Sequence, residues 1–154
     1  MIEMWFDGCC EPTNPGGHAS SGTHIRRGEE VLFNDSFYLG SGSRMSNNVA
    51  EYTAFIRGLE FLIRNGLAGE RIHVRGDSNL VIRQQFPDLD GSYWKMRGGL
   101  YIPYAVKAKK LVKQFTNITA NWISRDENDI CDVLSKSPLI KQGVKFRIQP
   151  NEKK

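Results

Sequence analysis

The sequence predicts an α/β fold: a mixed five-stranded sheet in which three antiparallel strands lead into parallel ones, flanked by helices on both faces. Three observations predict it. Several strand-length segments alternate in polarity or are apolar on both faces, the first three follow one another directly, and the last two are each reached through a helical pattern. The chain has 154 residues, 40% of them hydrophobic, which suits one core and is short for two.

Met1 to Phe6 reads as a strand with bulky apolar residues on both faces, as in a central position. Asp7-Gly8 is expected to end it, and the breaker-rich residues 9 to 17 to form a loop. Gly17 to Arg26 and Val31 to Leu39 follow as strands joined by Arg27-Gly-Glu-Glu, a turn so short that the pair must be antiparallel. From about Asn48 to Asn65, Tyr52, Phe55, Ile56, Leu59, Leu62 and Ile63 share one helical stripe, and Gly66 stops it. Ile72 and Val74 mark a fourth strand, after which residues 79 to 85 read as a helix. Residues 86 to 102 are irregular, Pro103 to Phe115 is helical, and Ile118 to Ile123 is the last sheet strand. A final helix capped by Asp126 carries Ile130, Val133 and Leu134 and is expected to end near Ser137-Pro138. One domain over residues 1–138 is therefore expected, with a tail over 139–154 that holds a short extra strand at Val144 to Ile148. A right-handed crossover through the long helix sets strands one and four side by side and parallel.

The net charge of +4 is a mild basic bias that favours a polyanionic partner only weakly. Cys9, Cys10 and Cys131 fit neither a disulfide framework nor zinc-ligand spacing, so reduced thiols and a cytoplasmic location are expected. No apolar run reaches the length of a membrane span, and the first residues read as a strand rather than a signal peptide.

Four acids stand out by position. Asp7 and Asp77 fall at the same end of two adjacent parallel strands, where open α/β sheets collect their chemistry. Glu51 lies at the start of the long helix and Asp132 inside the last one, where aspartate is a mediocre helix former. Each of the first three also has a plain structural role: Asp7 as a turn residue, Asp77 as an N-cap, and Glu51 as partner of Asn48 in a capping box. Brought together, such carboxylates repel and call for hard divalent cations.

Five motifs occur in order: Asp7-Gly, the Asn14-Pro-Gly loop, Asn47-Asn48-x-Ala50-Glu51, Gly76-Asp77-Ser78 and Asn128-x-x-Cys131-Asp132-x-Leu134. Together they resemble the type I ribonuclease H family, over residues 1 to about 136. The resemblance implies a ribonuclease H-like fold and an endoribonuclease that cuts the RNA strand of RNA–DNA hybrids. It further implies a two-metal mechanism using Mg²⁺, with Mn²⁺ as an alternative, leaving 5′-phosphate and 3′-hydroxyl ends. Asp7, Glu51, Asp77 and Asp132 become the catalytic and metal-binding set. The short connection after residue 86 matches forms without the family's basic protrusion, and a monomer is expected.

By the same resemblance, Asn14, Asn47, Asn48 and Asn79 contact the hybrid, Ser46 takes a DNA-strand phosphate, and Ser78 belongs with the substrate contacts. Neutral donors and acceptors suit reading of the 2′-hydroxyl across a minor groove. Trp94, Lys95 and Arg97 interleave aromatic and basic groups suited to the DNA strand. Lys107, Lys109, Lys110 and Lys113 fit a solvated helix face better than a phosphate site. Many family members carry a histidine in the loop before the last helix; here the loop reads Ser124-Arg125-Asp126-Glu127, and Arg125 or Glu127 stands in its place. The competing readings are another nuclease of the same fold, exonuclease or junction nuclease, and a non-catalytic hybrid-binding module. No G-x-G-x-x-G follows a strand to support a small-molecule α/β enzyme.

Overall fold

Ile2, Met4 and Phe6 are fully buried on one face of the first strand, and that face seats the long amphipathic helix. A computed structural model describes residues 1–148. Its elements are β1 (Ile2–Glu11), β2 (Gly16–Arg27), β3 (Glu30–Gly42), α1 (Asn47–Arg64), β4 (Arg71–Gly76), α2 (Asn79–Gln85), α3 (Ile102–Val112), β5 (Asn117–Trp122) and α4 (Asp129–Lys141). The sheet order is β3-β2-β1-β4-β5. β1/β2 and β2/β3 pair antiparallel, β1/β4 and β4/β5 parallel, as the element order predicts.

The strand period of two divides the core. On β2 the Thr23 hydroxyl donates to the Ala54 carbonyl of α1 at 2.8 Å, so this register faces α1. Its neighbour Gly22 faces α4 on the opposite side of the sheet. The main core joins Met4, Phe6, Tyr52, Phe55, Leu59, Leu62, Val74 and Val81, with α3 contributing Ala105 and Ala108. Buried polar groups are paired across it: the Tyr52 hydroxyl donates to Gln84 Oε1 at 2.6 Å, and Gln84 Nε2 donates to the Lys95 carbonyl at 3.2 Å. That network fixes the backbone of the irregular stretch before α3. No described helix is long and apolar enough to cross a membrane.

Six expectations are corrected. β1 does not end at Asp7: the ladder to β2 continues from Asp7↔Gly22 to Glu11↔His18, while pairing to β4 stops at Phe6↔Gly76. The cap of α1 is Ser46, whose Oγ accepts from Val49 N at 3.1 Å, and the cap of α2 is Ser78, whose Oγ accepts from Val81 N at 3.2 Å. Glu51 and Asp77 are thereby released from capping. Asp126 lies in a short 3₁₀ turn (Arg125–Glu127) closed by a capping box between Ser124 and Glu127, and Asn128 precedes α4. α4 runs through Pro138 to Lys141. Proline removes a helical donor, and the Leu134 carbonyl four residues back accepts the Ser36 hydroxyl of β3 instead. Val144 to Ile148 form no strand; the rest of the expected tail, residues 149–154, lies outside the described residues.

α4 reaches the sheet only because Gly22 has no side chain. A Cβ there would lie 2.6 Å from the Cys131 carbonyl oxygen and 2.6 Å from Ser135 N, both backbone atoms of α4. Gly22→Ala is expected to destabilise the chain by about 2 kcal/mol or more, the scale of an overpacked core. Thermal unfolding should then shift down by roughly 4–8 °C. Gly69→Ala, where a Cβ meets nothing within 4 Å, is the control and should stay within about 0.5 kcal/mol of the parent.

Candidate active site

β1 and β4 part company just where their acids begin. After Phe6↔Gly76 the parallel ladder ends, and Asp7 and Asp77 are the next residues on each chain. The gap is bridged by Asn128, whose Nδ2 donates to the Phe6 carbonyl at 2.9 Å and to Asp77 Oδ1 at 3.4 Å. Glu51 arrives from α1. A Cβ on Gly8 would lie 2.4 Å from Glu51 N, so this glycine lets α1 press its first turns against β1 beside Asp7. Carboxylate oxygens of Asp7, Glu51 and Asp77 all lie within 4.8 Å of one another.

Two unit charges at that separation repel by about 3–4 kcal/mol at an effective dielectric near 20. The cluster responds by holding protons. Burial, and then the Asp77 charge, push Asp7 up to about 7. Burial, and then the Asp7 and Asp77 charges, push Glu51 well above the usual carboxylate range. Glu51 Oε2 is buried and accepts no hydrogen bond. An orphaned buried oxygen in an all-oxygen donor set is what a hard divalent cation fits, and the absence of nitrogen or sulfur donors from the cluster argues for Mg²⁺-like rather than Zn²⁺-like chemistry.

Asp132 is on the same cavity but outside that triad. The cavity, about 330 Å³, is lined by Asp7, Glu51, Asn47, Asp132, Lys136 and Arg125 among others. Lys136 Nζ lies 2.9 Å from Asp132 Oδ1 and 3.0 Å from Oδ2, one turn along α4. The lysine side chain is only 7% exposed. Sequence reasoning missed Lys136; the i,i+4 spacing from an in-helix aspartate was the available signal.

The predicted substrate residues divide into pinned and open ones. Asn14 Oδ1 accepts from Asn47 N at 2.9 Å, tying the first loop to the start of α1. Asn47 Oδ1 is buried without a donor. Ser46 and Ser78 accept backbone N–H groups as caps, which leaves each hydroxyl hydrogen to donate elsewhere. Asn48 and Asn79 are exposed at the starts of α1 and α2. Trp94, Lys95 and Arg97 project from the exposed stretch before α3, with Trp94 48% exposed. Of the two candidates for the missing histidine, Glu127 is turned back onto the Ser124 hydroxyl at 3.0 Å. Arg125 instead reaches the site, its Nε 3.8 Å from Asp77 Oδ2. Trp122, not anticipated, donates its indole N–H to the Asp77 carbonyl at 3.1 Å. His18, His24 and His73 bond Tyr38, Asn34 and the Thr119/Asn121 pair respectively, and none lines the carboxylate cavity.

Comparison with known proteins agrees with this geometry. The model of the family described as reverse transcriptase-like matches residues 6–137. The bifunctional protein Rv2228c of Mycobacterium tuberculosis is 30% identical over 96 residues, 62% of this chain but only 24% of that protein. The RNase H1 of the halophilic archaeon Halobacterium salinarum NRC-1 superposes with a TM-score of 0.74 at 27% identity, covering 91% of this chain and 98% of that one. LC11-RNase H1, solved in complex with an RNA/DNA hybrid, gives a TM-score of 0.77 at 29% identity, covering 92% and 99%. The chain belongs to the reverse transcriptase-like family and is, by sequence and fold, a ribonuclease H family member.

Proposed function

We propose that the protein is a Mg²⁺-dependent endonuclease that hydrolyses the RNA strand of RNA–DNA hybrids, leaving 5′-phosphate and 3′-hydroxyl ends. The observation that carries this reading is the triad of Asp7, Glu51 and Asp77 oxygens within 4.8 Å on a ribonuclease H fold. Those three, with Asp132, would hold two divalent ions. When bound, the ions supply the positive charge that the attacking water and the departing 3′ oxygen require in an in-line displacement. Mn²⁺ meets the same oxygen-ligand requirement.

The chain's own groups do the rest. Asp132 is held ready on Lys136, and that pair keeps a buried ammonium neutralised. Asn128 holds Asp77 against the end of β1, so its carboxylate keeps one orientation. Arg125, 70% exposed at its side chain, is free to leave Asp77 for a phosphate. Asn14, Asn47, Asn48 and Asn79 would offer neutral groups to the 2′-hydroxyl, by which RNA is told from DNA, and Asn47 lines the carboxylate cavity. Ser46 and Ser78 offer hydroxyl hydrogens to phosphate oxygens. Trp94, Lys95 and Arg97 form the exposed surface for the DNA strand.

The test uses end-labelled RNA paired with DNA, paired with RNA and single-stranded, plus a DNA duplex, each with Mg²⁺, Mn²⁺ or EDTA. Internal cutting of RNA in the hybrid alone, lost in EDTA, is expected. End-trimming or DNA cutting points to another nuclease of this fold, and hybrid binding without cutting in either metal to a binding module. Asp77→Asn should lower cleavage at least about 100-fold while hybrid affinity changes by less than about threefold; near-parental cleavage would remove Asp77 from the site.

Proton and metal would compete for Asp7 and Glu51, which fixes the sign of the pH dependence. Asp7 holds its proton up to about 7 in the metal-free protein, above its ordinary value of 3.8. Its contribution to stability is therefore present at low pH and lost as pH rises through about 7. The metal-free melting temperature should fall from about pH 5 to about pH 8, and Mg²⁺ should raise it more at the higher pH. A Mg²⁺ shift independent of pH would show that the acids are already ionised without the cation.

A further inference from the structure

Beyond α4 the chain turns back over the end of β1. Val144 N donates to the Leu139 carbonyl at 3.0 Å, and Phe146 is buried against Cys9 and Leu139. Arg147 then locks onto Glu11, the last residue of β1. Its backbone N–H and Nε donate to Glu11 Oε1 at 2.8 and 3.1 Å, and its Nη2 donates to Glu11 Oε2 at 2.8 Å and to the Cys10 carbonyl at 2.7 Å. The anchoring carboxylate is 14% exposed, the guanidinium side chain 46%. Phe146, Arg147 and Ile148 line the same cavity as Asp7, Glu51 and Asp132.

A guanidinium has five donors in a fixed plane. The bonds to Glu11 and Cys10 employ Nε and Nη2 and leave the Nη1 edge. Holding one edge on a carboxylate removes most of the rotamer entropy that a phosphate contact would otherwise cost, and Arg suits planar recognition of phosphate oxygens. Among the described residues, the other cations lining the cavity, Arg125 and Lys136, lie against the acids Asp77 and Asp132. Arg147 alone of the three is anchored on a carboxylate outside the four-acid set.

We propose that Arg147 is a substrate-binding residue that donates its Nη1 edge to a backbone phosphate of the strand being cut, and that the segment over residues 143–148 is the strap that holds it at the cavity rim. This rests on the hybrid-nuclease reading. β1 runs on past Asp7 to Glu11, the residue on which the strap is anchored.

The test compares the full chain with Arg147→Ala and Arg147→Gln, the latter keeping an amide donor for Glu11. Hybrid affinity is measured against salt in EDTA, and kcat and KM in Mg²⁺. Both variants should raise KM by about tenfold with kcat within about twofold, and lower the slope of log affinity against log salt by about one. A purely structural strap would lower the melting temperature and leave slope and KM unchanged, which overturns the proposal. A scan with single methylphosphonates along the RNA strand settles the matter on the parent protein: one position should weaken binding to the parent but not to Arg147→Ala. Equal penalties at every position in both proteins overturn it. A parent chain that cuts hybrid while the variants behave as the parent rejects only Arg147; a parent that neither binds nor cuts hybrid rejects the functional reading with it.

Discussion

Two close approaches to adjacent strands, β1 and β2, govern the rest of the structure. At Gly8 the backbone of α1 comes within reach of where a Cβ would be, and at Gly22, the cross-strand partner of Asp7, the backbone of α4 does the same from the other face. Neither helix could sit so deep over a residue with a side chain. The result is that Asp7, on the central strand, is met by Glu51 from above and by the Asp132 helix from below. Asp77 joins them from the neighbouring strand because the parallel ladder ends one residue earlier. Packing and chemistry thus share a single point in the sheet.

That point is electrostatically expensive. Three carboxylates within 4.8 Å cannot all ionise without a cation, and the chain's own cations offset the repulsion only at its margins. Lys136 is committed to Asp132, and Arg125 touches Asp77 at 3.8 Å from a largely solvated position. Asp7 and Glu51, the two acids farthest from those cations in their bonding, are the two pushed towards the protonated form. The unpartnered Glu51 oxygen marks where the remaining positive charge belongs. Stability is given up at this place for an acid cluster that could hold metal ions in competition with protons.

Much of this was legible beforehand. Strand alternation, the long stripe from Tyr52 to Ile63 and the short turn at Arg27 suffice for the sheet order, because handedness leaves one natural place for β4. Asp7, Asp77 and Glu51 stand out in the sequence at strand and helix ends, and Asp132 by lying inside a helix. What sequence could not reveal were interactions made across space. Ser46 and Ser78 displace Asn48 and Asp77 as caps because cap choice depends on where the chain enters the helix. β1 runs on past Asp7-Gly8, a common turn pair, since β2 continues its ladder there. Pro138 is tolerated inside α4 because Ser36, ninety-eight residues away, satisfies the Leu134 carbonyl. Lys136 and the Arg147–Glu11 lock likewise gain their meaning only from the folded cavity.

Asp7, Glu51 and Asp77 are proposed to form one divalent-cation site. Crystals of the protein soaked in Mn²⁺ at a concentration that supports hybrid cleavage, and measured for anomalous scattering, test it directly. A Mn²⁺ peak bounded by carboxylate oxygens of all three residues is expected, at about 2.0–2.3 Å from each ligating oxygen. Crystals with no peak there, or with Mn²⁺ bound only to other acids while Asp7 and Glu51 keep their protons, would overturn that assignment.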